Sequence, residues 1–130
     1  LIRKFTEAVQ NNQREVEIWG TGEVSREFLY VEDAAEGVVL ATERYNKPEP
    51  VNIGAGFEIK IKDLVKLIAK LTGFSGEIRW DTTKPDGQPR RRLNTTRAKM
   101  EFGFEAKIDF TEGLRRTIEW YRGVRTGDVR

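Results

Sequence analysis

The stretch from Trp19 to Asp33 (Trp-Gly-Thr-Gly-Glu-Val-Ser-Arg-Glu-Phe-Leu-Tyr-Val-Glu-Asp) leaves the chain few ways to fold. It enters as the end of a strand over 15–19, with Val16 and Ile18 on one face and Trp19 last. The run breaks at Gly20 and Gly22, where the backbone can turn sharply and let a ligand come close, so a flexible hairpin is expected. After Arg26, the apolar run 28–31 reads as a short strand or extended piece. Glu32 and Asp33 then open an alanine-rich helix, where an acidic pair suits the unpaired amides and positive dipole of a first turn. A large aromatic, a turn and a single arginine thus sit between ordered elements. That arrangement suits holding a flat ring beside a charged group.

Strands and helices continue to alternate, which places the chain in the α/β class as one domain over 1–130. A helix is under way at the start, with Leu1, Phe5, Ala8 and Val9 on one face, and ends near Asn11 and Asn12. With no initiator Met and no N-cap, the expectation is a piece cut from a longer protein. The helix over 32–45 is expected to turn Ala35, Val38, Val39 and Thr42 inward. Pro48 and Pro50 force a loop, and 51–53 reads as a brief buried strand closed by Gly54-Ala55-Gly56. The strongest helical pattern covers 59–71, with Ile61, Leu64, Val65, Ile68 and Leu71 in one stripe and Gly73 as its C-terminal cap. A strand over 77–80 leads into a loop with two prolines, a Pro85-Asp86-Gly87 turn and the run Arg90-Arg91-Arg92. A short helix over 95–102 stops at Gly103. A last helix, capped by Asp109 or Thr111, shows Leu114, Ile118 and Tyr121 on one face, and a frayed tail is expected from about 123.

Composition removes several kinds of chemistry. The chain has no Cys and no His, so disulfides, thiolate metal sites and Cys-His or Ser-His pairs are excluded. No run approaches the roughly 18 apolar residues of a membrane span, and no secretory leader pattern is present, so a cytoplasmic, membrane-free setting is expected. A net charge of +2 does not by itself argue for nucleic acid. Gly20/Gly22 and Gly54/Gly56 lack the third glycine of a dinucleotide fingerprint, and no phosphate-loop Gly-Lys-Ser/Thr occurs. No complete active site and no metal site can be read.

Binding is better supported than catalysis. Lys4, Arg26 and Arg90 to Arg92 are candidate anion ligands, because a guanidinium forks onto phosphate oxygens where an ammonium gives only a point charge. The plainer reading of a lone arginine is an ion-paired surface residue, of Trp19 a core residue, and of the triple arginine a solvated turn. A nucleic-acid module is the rival use of 90–97, but no aromatics are interleaved there for base stacking.

Five segments carry a resemblance: Leu1-Ile2-Arg3-Lys4-Phe5, Trp19-Gly20-Thr21-Gly22, Arg26-Glu27-Phe28-Leu29-Tyr30-Val31-Glu32-Asp33, Asn52-Ile53-Gly54-Ala55-Gly56 and Lys84-Pro85-Asp86-Gly87-Gln88-Pro89-Arg90-Arg91. In order and spacing the chain resembles the C-terminal, substrate-binding part of the extended short-chain dehydrogenase/reductases, the NAD-dependent epimerase/dehydratase family acting on nucleotide sugars. The Trp before Gly-Thr-Gly and the Lys-Pro-Asp-Gly-x-Pro-Arg loop narrow the resemblance to the GDP-L-fucose synthase branch. The fold implied is a small mixed α/β substrate-binding lobe without its Rossmann lobe.

The resemblance implies that Trp19, with Ile18 beside it, lines a nucleotide pocket and that Arg26 holds a diphosphate. It implies that Lys4 (or Arg3) and Arg91 add charge, and that Asp86 contacts sugar or guanosine. The family's Tyr-x-x-x-Lys pair does not occur here, since no Tyr is followed four residues later by Lys. The resemblance therefore implies no catalytic residue and no cofactor site in this chain, with NADP(H) and the chemistry belonging to a Rossmann lobe of the same parent chain. The partners implied are a GDP-sugar and that lobe, with self-association through the exposed lobe interface. A UDP- or dTDP-sugar lobe stays open at this point.

Overall fold

The computed structural model describes residues 1–126. In chain order the elements are α1 (Ile2–Gln10), β1 (Glu15–Trp19), β2 (Ser25–Arg26), α2 (Val31–Arg44), β3 (Ile59–Lys60), α3 (Ile61–Thr72), β4 (Glu77–Asp81), β5 (Arg90–Arg91), α4 (Thr96–Phe102) and α5 (Phe110–Thr126). Among the described residues no helix is long and apolar enough to cross a membrane. The mixed α/β class expected from the sequence is the one observed.

Two small cores organise these elements. In the first, β1 and β4 lie parallel with Val16 opposite Ile78 and Ile18 opposite Trp80. Alternation sends Val16 and Ile18 inward, where they meet Phe5 and Ala8 of α1 and Leu64, Val65 and Ile68 of α3. Phe74 closes this core edge-on against Phe5, ring centres 5.3 Å apart. Gly73 ends α3 with φ +79°, as its position after the apolar stripe predicts. The second core gathers Ala98, Phe102 and Phe104 with Leu40, Val51 and Ile53.

Asp33 helps join the two halves. It is buried, and its carboxylate accepts the backbone N–H groups of Lys107 and Ile108, both at 3.1 Å. The residue that reads in the sequence as a helix start therefore also fastens α2 to the segment entering α5. Asp109, rather than Thr111, caps α5 through its side chain, accepting from Glu112 N–H at 3.1 Å. The helix continues through Gly123 to Thr126, past the expected start of a frayed tail, and 127–130 lie outside the described residues.

Three local expectations are corrected. Gly20 to Gly22 is not a hairpin: β1 pairs with β4, whereas β2 belongs to a second sheet of order β3-β2-β5. The segment 51–53 forms no ladder and is not a strand, while of the two readings for 28–31 the strand falls away: 28–30 lies outside any ladder and enters α2 through an extended Tyr30. The inward face of α2 is also different. Val38 and Val39 are 58% and 55% exposed, with Ala35 and Thr42 also outside, while Asp33 and Gly37 are buried. Tertiary contacts override the apolar pattern here, because the bound carboxylate of Asp33 and the bare backbone of Gly37 face the partner elements. A Cβ on Gly37 would lie 2.7 Å from Ile53 Cγ2 and 3.0 Å from Phe104 Cε2.

In the second sheet, Glu58 receives Arg90 Nε at 2.7 and 2.9 Å and the Ser25 hydroxyl at 2.6 Å, tying β5 to β2. These donors, Arg90 foremost, hold the Glu58 carboxyl at about 2, below the usual carboxylate range.

Gly37→Ala is expected to destabilise the chain by about 1–3 kcal/mol in urea unfolding, because the added methyl overpacks the α2 contact. An exposed helical glycine would instead gain about 1 kcal/mol from the same change. A second test uses pH. A carboxyl with a lowered folded-state pKa stabilises above its unfolded value and loses that effect as pH falls through the folded value. The stability difference between wild type and Glu58→Gln should therefore be flat above pH ~5. It should shrink as pH drops toward about 2.

Candidate anion and ring site

The loop from Asp81 to Arg91 brings most of the candidate residues together. Trp19 ends β1 and is 65% exposed, so it is not the core residue its apolar neighbours would suggest. Beside it in register stands Asp81, whose carboxylate accepts Thr83 N–H at 3.1 Å and the Thr83 hydroxyl at 2.5 Å. This tight turn places Lys84 Nζ 5.7 Å from the centre of the Trp19 ring.

Asp86 then crosses back to the glycine turn. Its two oxygens accept Thr21 N–H at 2.7 Å and the Thr21 hydroxyl at 2.6 Å. These bonds, the hydroxyl's first, hold its carboxyl below the ordinary aspartate value. Gly20 has φ +84°, and a Cβ there would lie 2.2 Å from Asp86 Oδ1, so the close approach needs glycine. Gly22, φ +75°, faces the Trp80 ring, whose Cη2 would be 2.6 Å from an added Cβ.

The loop next reaches Arg26. A Cβ built on Gly87 would stand 3.6 Å from Arg26 Nη2, and Arg26 Nη1 donates to Ser25 O at 2.6 Å. β5 runs parallel to β2 with Ser25 opposite Arg90 and Arg26 opposite Arg91. Residues paired in a ladder project to the same face, so Arg26 and Arg91 share one side of the sheet. The triple arginine is thereby divided. Arg90 is neutralised by Glu58, and Arg92 donates to Gly56 O at 2.7 Å. Arg91 and Arg26 have no salt bridge among the described residues. Two cationic forks without a carboxylate partner on one sheet face can take an anion, and the 81–91 loop links that face to the strand ending at the exposed indole.

The other three proposed ligands all have partners within the chain. Ile18 is 3% exposed and packs in the first core, so its side chain lines no pocket. Strand alternation explains this, because the face that presents Trp19 is the opposite one. Asp86 accepts one Thr21 donor on each oxygen and pins the loop. Lys4 donates to Glu17 O at 2.7 Å, on the α1 flank of β1.

Sequence reasoning passed over Lys84, Glu58 and Glu27. The Glu27 carboxylate accepts Gly56 N–H at 3.2 Å and Leu93 N–H at 2.9 Å, joining the Gly54–Gly56 turn to the chain after β5. The signal available was its place between Arg26 and Phe28, where a carboxylate interrupts an otherwise apolar stretch.

A second concavity, about 520 Å³, lies between the start of α1, the 28–30 and 55–57 segments and α5. It is apolar, with Leu1, Phe28, Phe57, Phe110, Leu114 and Trp120 among its walls. Its buried carboxylate, Asp33, is already satisfied. Among the described residues no group of three or more side chains is placed to hold a metal ion.

Comparison with known proteins gives a consistent result. Residues 1–54 match the family model described as "NAD dependent epimerase/dehydratase family". A probable GDP-L-fucose synthase 1 from Oryza sativa subsp. japonica is 43% identical over 93% of this chain and 37% of its own length. A UDP-glucose 4-epimerase from Thermotoga maritima, solved with UDP-glucose, superposes with a TM-score of 0.82 at 33% identity, over 95% of this chain and 40% of that one. A GDP-L-fucose synthetase from Naegleria fowleri shares the fold with a TM-score of 0.89 at 23% identity, over 100% of this chain and 40% of that one. It has also been solved bound to NADP. The chain spans 37% of the length of the first curated relatives it matches. Residues 1–54 thus match the NAD-dependent epimerase/dehydratase family, and nearly the whole chain is similar in sequence and in fold to part of GDP-L-fucose synthases and nucleotide-sugar epimerases.

Proposed function

We propose that this chain is the nucleotide-sugar-binding lobe of a GDP-L-fucose synthase-like epimerase/reductase. The observation that carries the reading is the pairing of Arg26 with Arg91 on one sheet face, without acidic partners, joined through the 81–91 loop to the turn that follows the exposed Trp19. A diphosphate offers each guanidinium a forked pair of oxygens, and the indole offers its base a stacking face. In an intact enzyme of this kind, 3,5-epimerisation precedes reduction of a 4-keto group by NADPH. This lobe contributes position: binding the remote nucleotide orients the sugar toward chemistry performed elsewhere.

The reading assigns NADP(H) to another part of the parent protein. A dinucleotide site needs a glycine-rich turn opening a helix, and the residues before α2, α3, α4 and α5 do not fit that need. The sequence lacks Tyr-x-x-x-Lys, so this chain alone is assigned no hydride transfer. Its partner is the rest of the parent chain. Exposed Val31, Val38 and Val39 on α2, and the rim residues Phe28, Phe57 and Trp120 of the apolar cleft, supply the face for it.

GDP is the carrier favoured by the GDP-L-fucose synthase relatives, while the UDP-glucose 4-epimerase likeness favours UDP as a second reading. The commitment of Arg90 to Glu58 and Arg92 to Gly56 weighs against a nucleic-acid module, since the basic run is not a free strip of charge.

Calorimetry with GDP, UDP and dTDP tests the reading. Weak binding with GDP preferred is expected, and Arg26→Ala or Arg91→Ala should each weaken it about tenfold or more, the loss of one charge-assisted fork. Wild-type affinity for all three equal to that of the double variant would reject it. Sedimentation at rising concentration should show self-association through the apolar face, reduced by Val38→Ser/Val39→Ser. A strictly monomeric profile would count against the lobe interface.

A further inference from the structure

We propose that Lys84 seats the aromatic ring of the ligand, which binds between its ammonium and the indole of Trp19. The proposal rests on the nucleotide reading above and assigns a residue to the base rather than to the phosphates.

Three observations carry it. The ammonium stands 5.7 Å from the ring centre, over an indole face otherwise open to water. The backbone beneath it is fastened on both flanks of Trp19. Lys84 N–H donates to Asp81 O at 3.3 Å, Asp81 is the register partner of Trp19, and Asp86 is bound to Thr21. The side chain itself is exposed and makes no salt bridge among the described residues. A flexible cation on a rigid mount is thus held over a flat π face, with the Asp81 carboxylate near enough to attract it but in no direct ion pair with it.

The distances set what must move. A ring in van der Waals contact with both groups needs about 3.5–4.0 Å on each side, so roughly 7–8 Å between indole and ammonium. The observed gap is shorter than that by about 2 Å. A change of rotamer along the four-carbon stem supplies it while the pinned backbone stays in place. In the free chain the ammonium covers the indole, and in the complex it covers the second face of the base. A lysine that only bound phosphate would act on the diphosphate and leave the base unaffected.

The test titrates the chain with guanosine, GDP and inorganic pyrophosphate, following the indole N–H resonance of Trp19, identified with Trp19→Phe. Lys84→Gln is expected to weaken guanosine and GDP about 2–5-fold and to change pyrophosphate less. Lys84→Arg, whose planar cation also stacks on rings, should keep wild-type affinity for guanosine. A loss confined to pyrophosphate and GDP, or no change with any probe, would overturn the proposal and leave the nucleotide reading standing. A wild-type chain that binds none of the three would overturn both.

Discussion

Asp86 is the residue on which the site depends. Its carboxylate reaches across from the 81–91 loop and takes both donors of Thr21. A charged acceptor with two good donors makes strong bonds even near the surface, and these two close a long excursion of the chain. Gly87 then has to lie against the Arg26 guanidinium, and β5 arrives in register with β2. The pin acts together with backbone bonds from Lys62 to Gly22, Ile61 to Val24 and Ser25 to Pro89, which also fix the segment between the indole on one sheet and the arginines on the other. The two sheets share no strand, so this loop does the work that a continuous sheet does elsewhere.

Much of the local structure is legible in the sequence. The strand through Val16 and Ile18, the apolar stripe of α3 with Gly73 behind it, the short helix closed by Gly103 and the Asp109 cap follow from period and capping alone. What escaped is long-range. Hydrophobicity points α2 by Val38 and Val39, but its orientation is set by Asp33 bonding to Lys107 and Ile108 and by Gly37 admitting Ile53 and Phe104. No local pattern announces partners so distant along the chain. The turn at Gly20 reads as a hairpin in the sequence for the same reason: β1 takes β4, distant along the chain, as its partner, and β2 joins the other sheet.

The site divides in the same way. Arg26 and Trp19 stand out by type and neighbours, and the family resemblance, which the comparisons bear out, explains why they occur together. Ile18 was assigned to the pocket although strand alternation with Val16 already turned it inward. The division of the three arginines depends on Glu58 and Gly56, which lie far from them in sequence and take Arg90 and Arg92 respectively.

That pairing has a further consequence. β5 is only two residues long, and its side chains alternate between a face neutralised by Glu58 and a face left positive. A slip of one position along β2 would hand Arg91 to the carboxylate and turn its neighbours outward, reversing the sign pattern of the surface with no change in composition. The anion preference proposed for this chain would therefore be written in the phase of a ladder rather than in how many basic residues it owns, and insertions or deletions between Gln88 and Arg92 would rewrite it more thoroughly than a change of residue type.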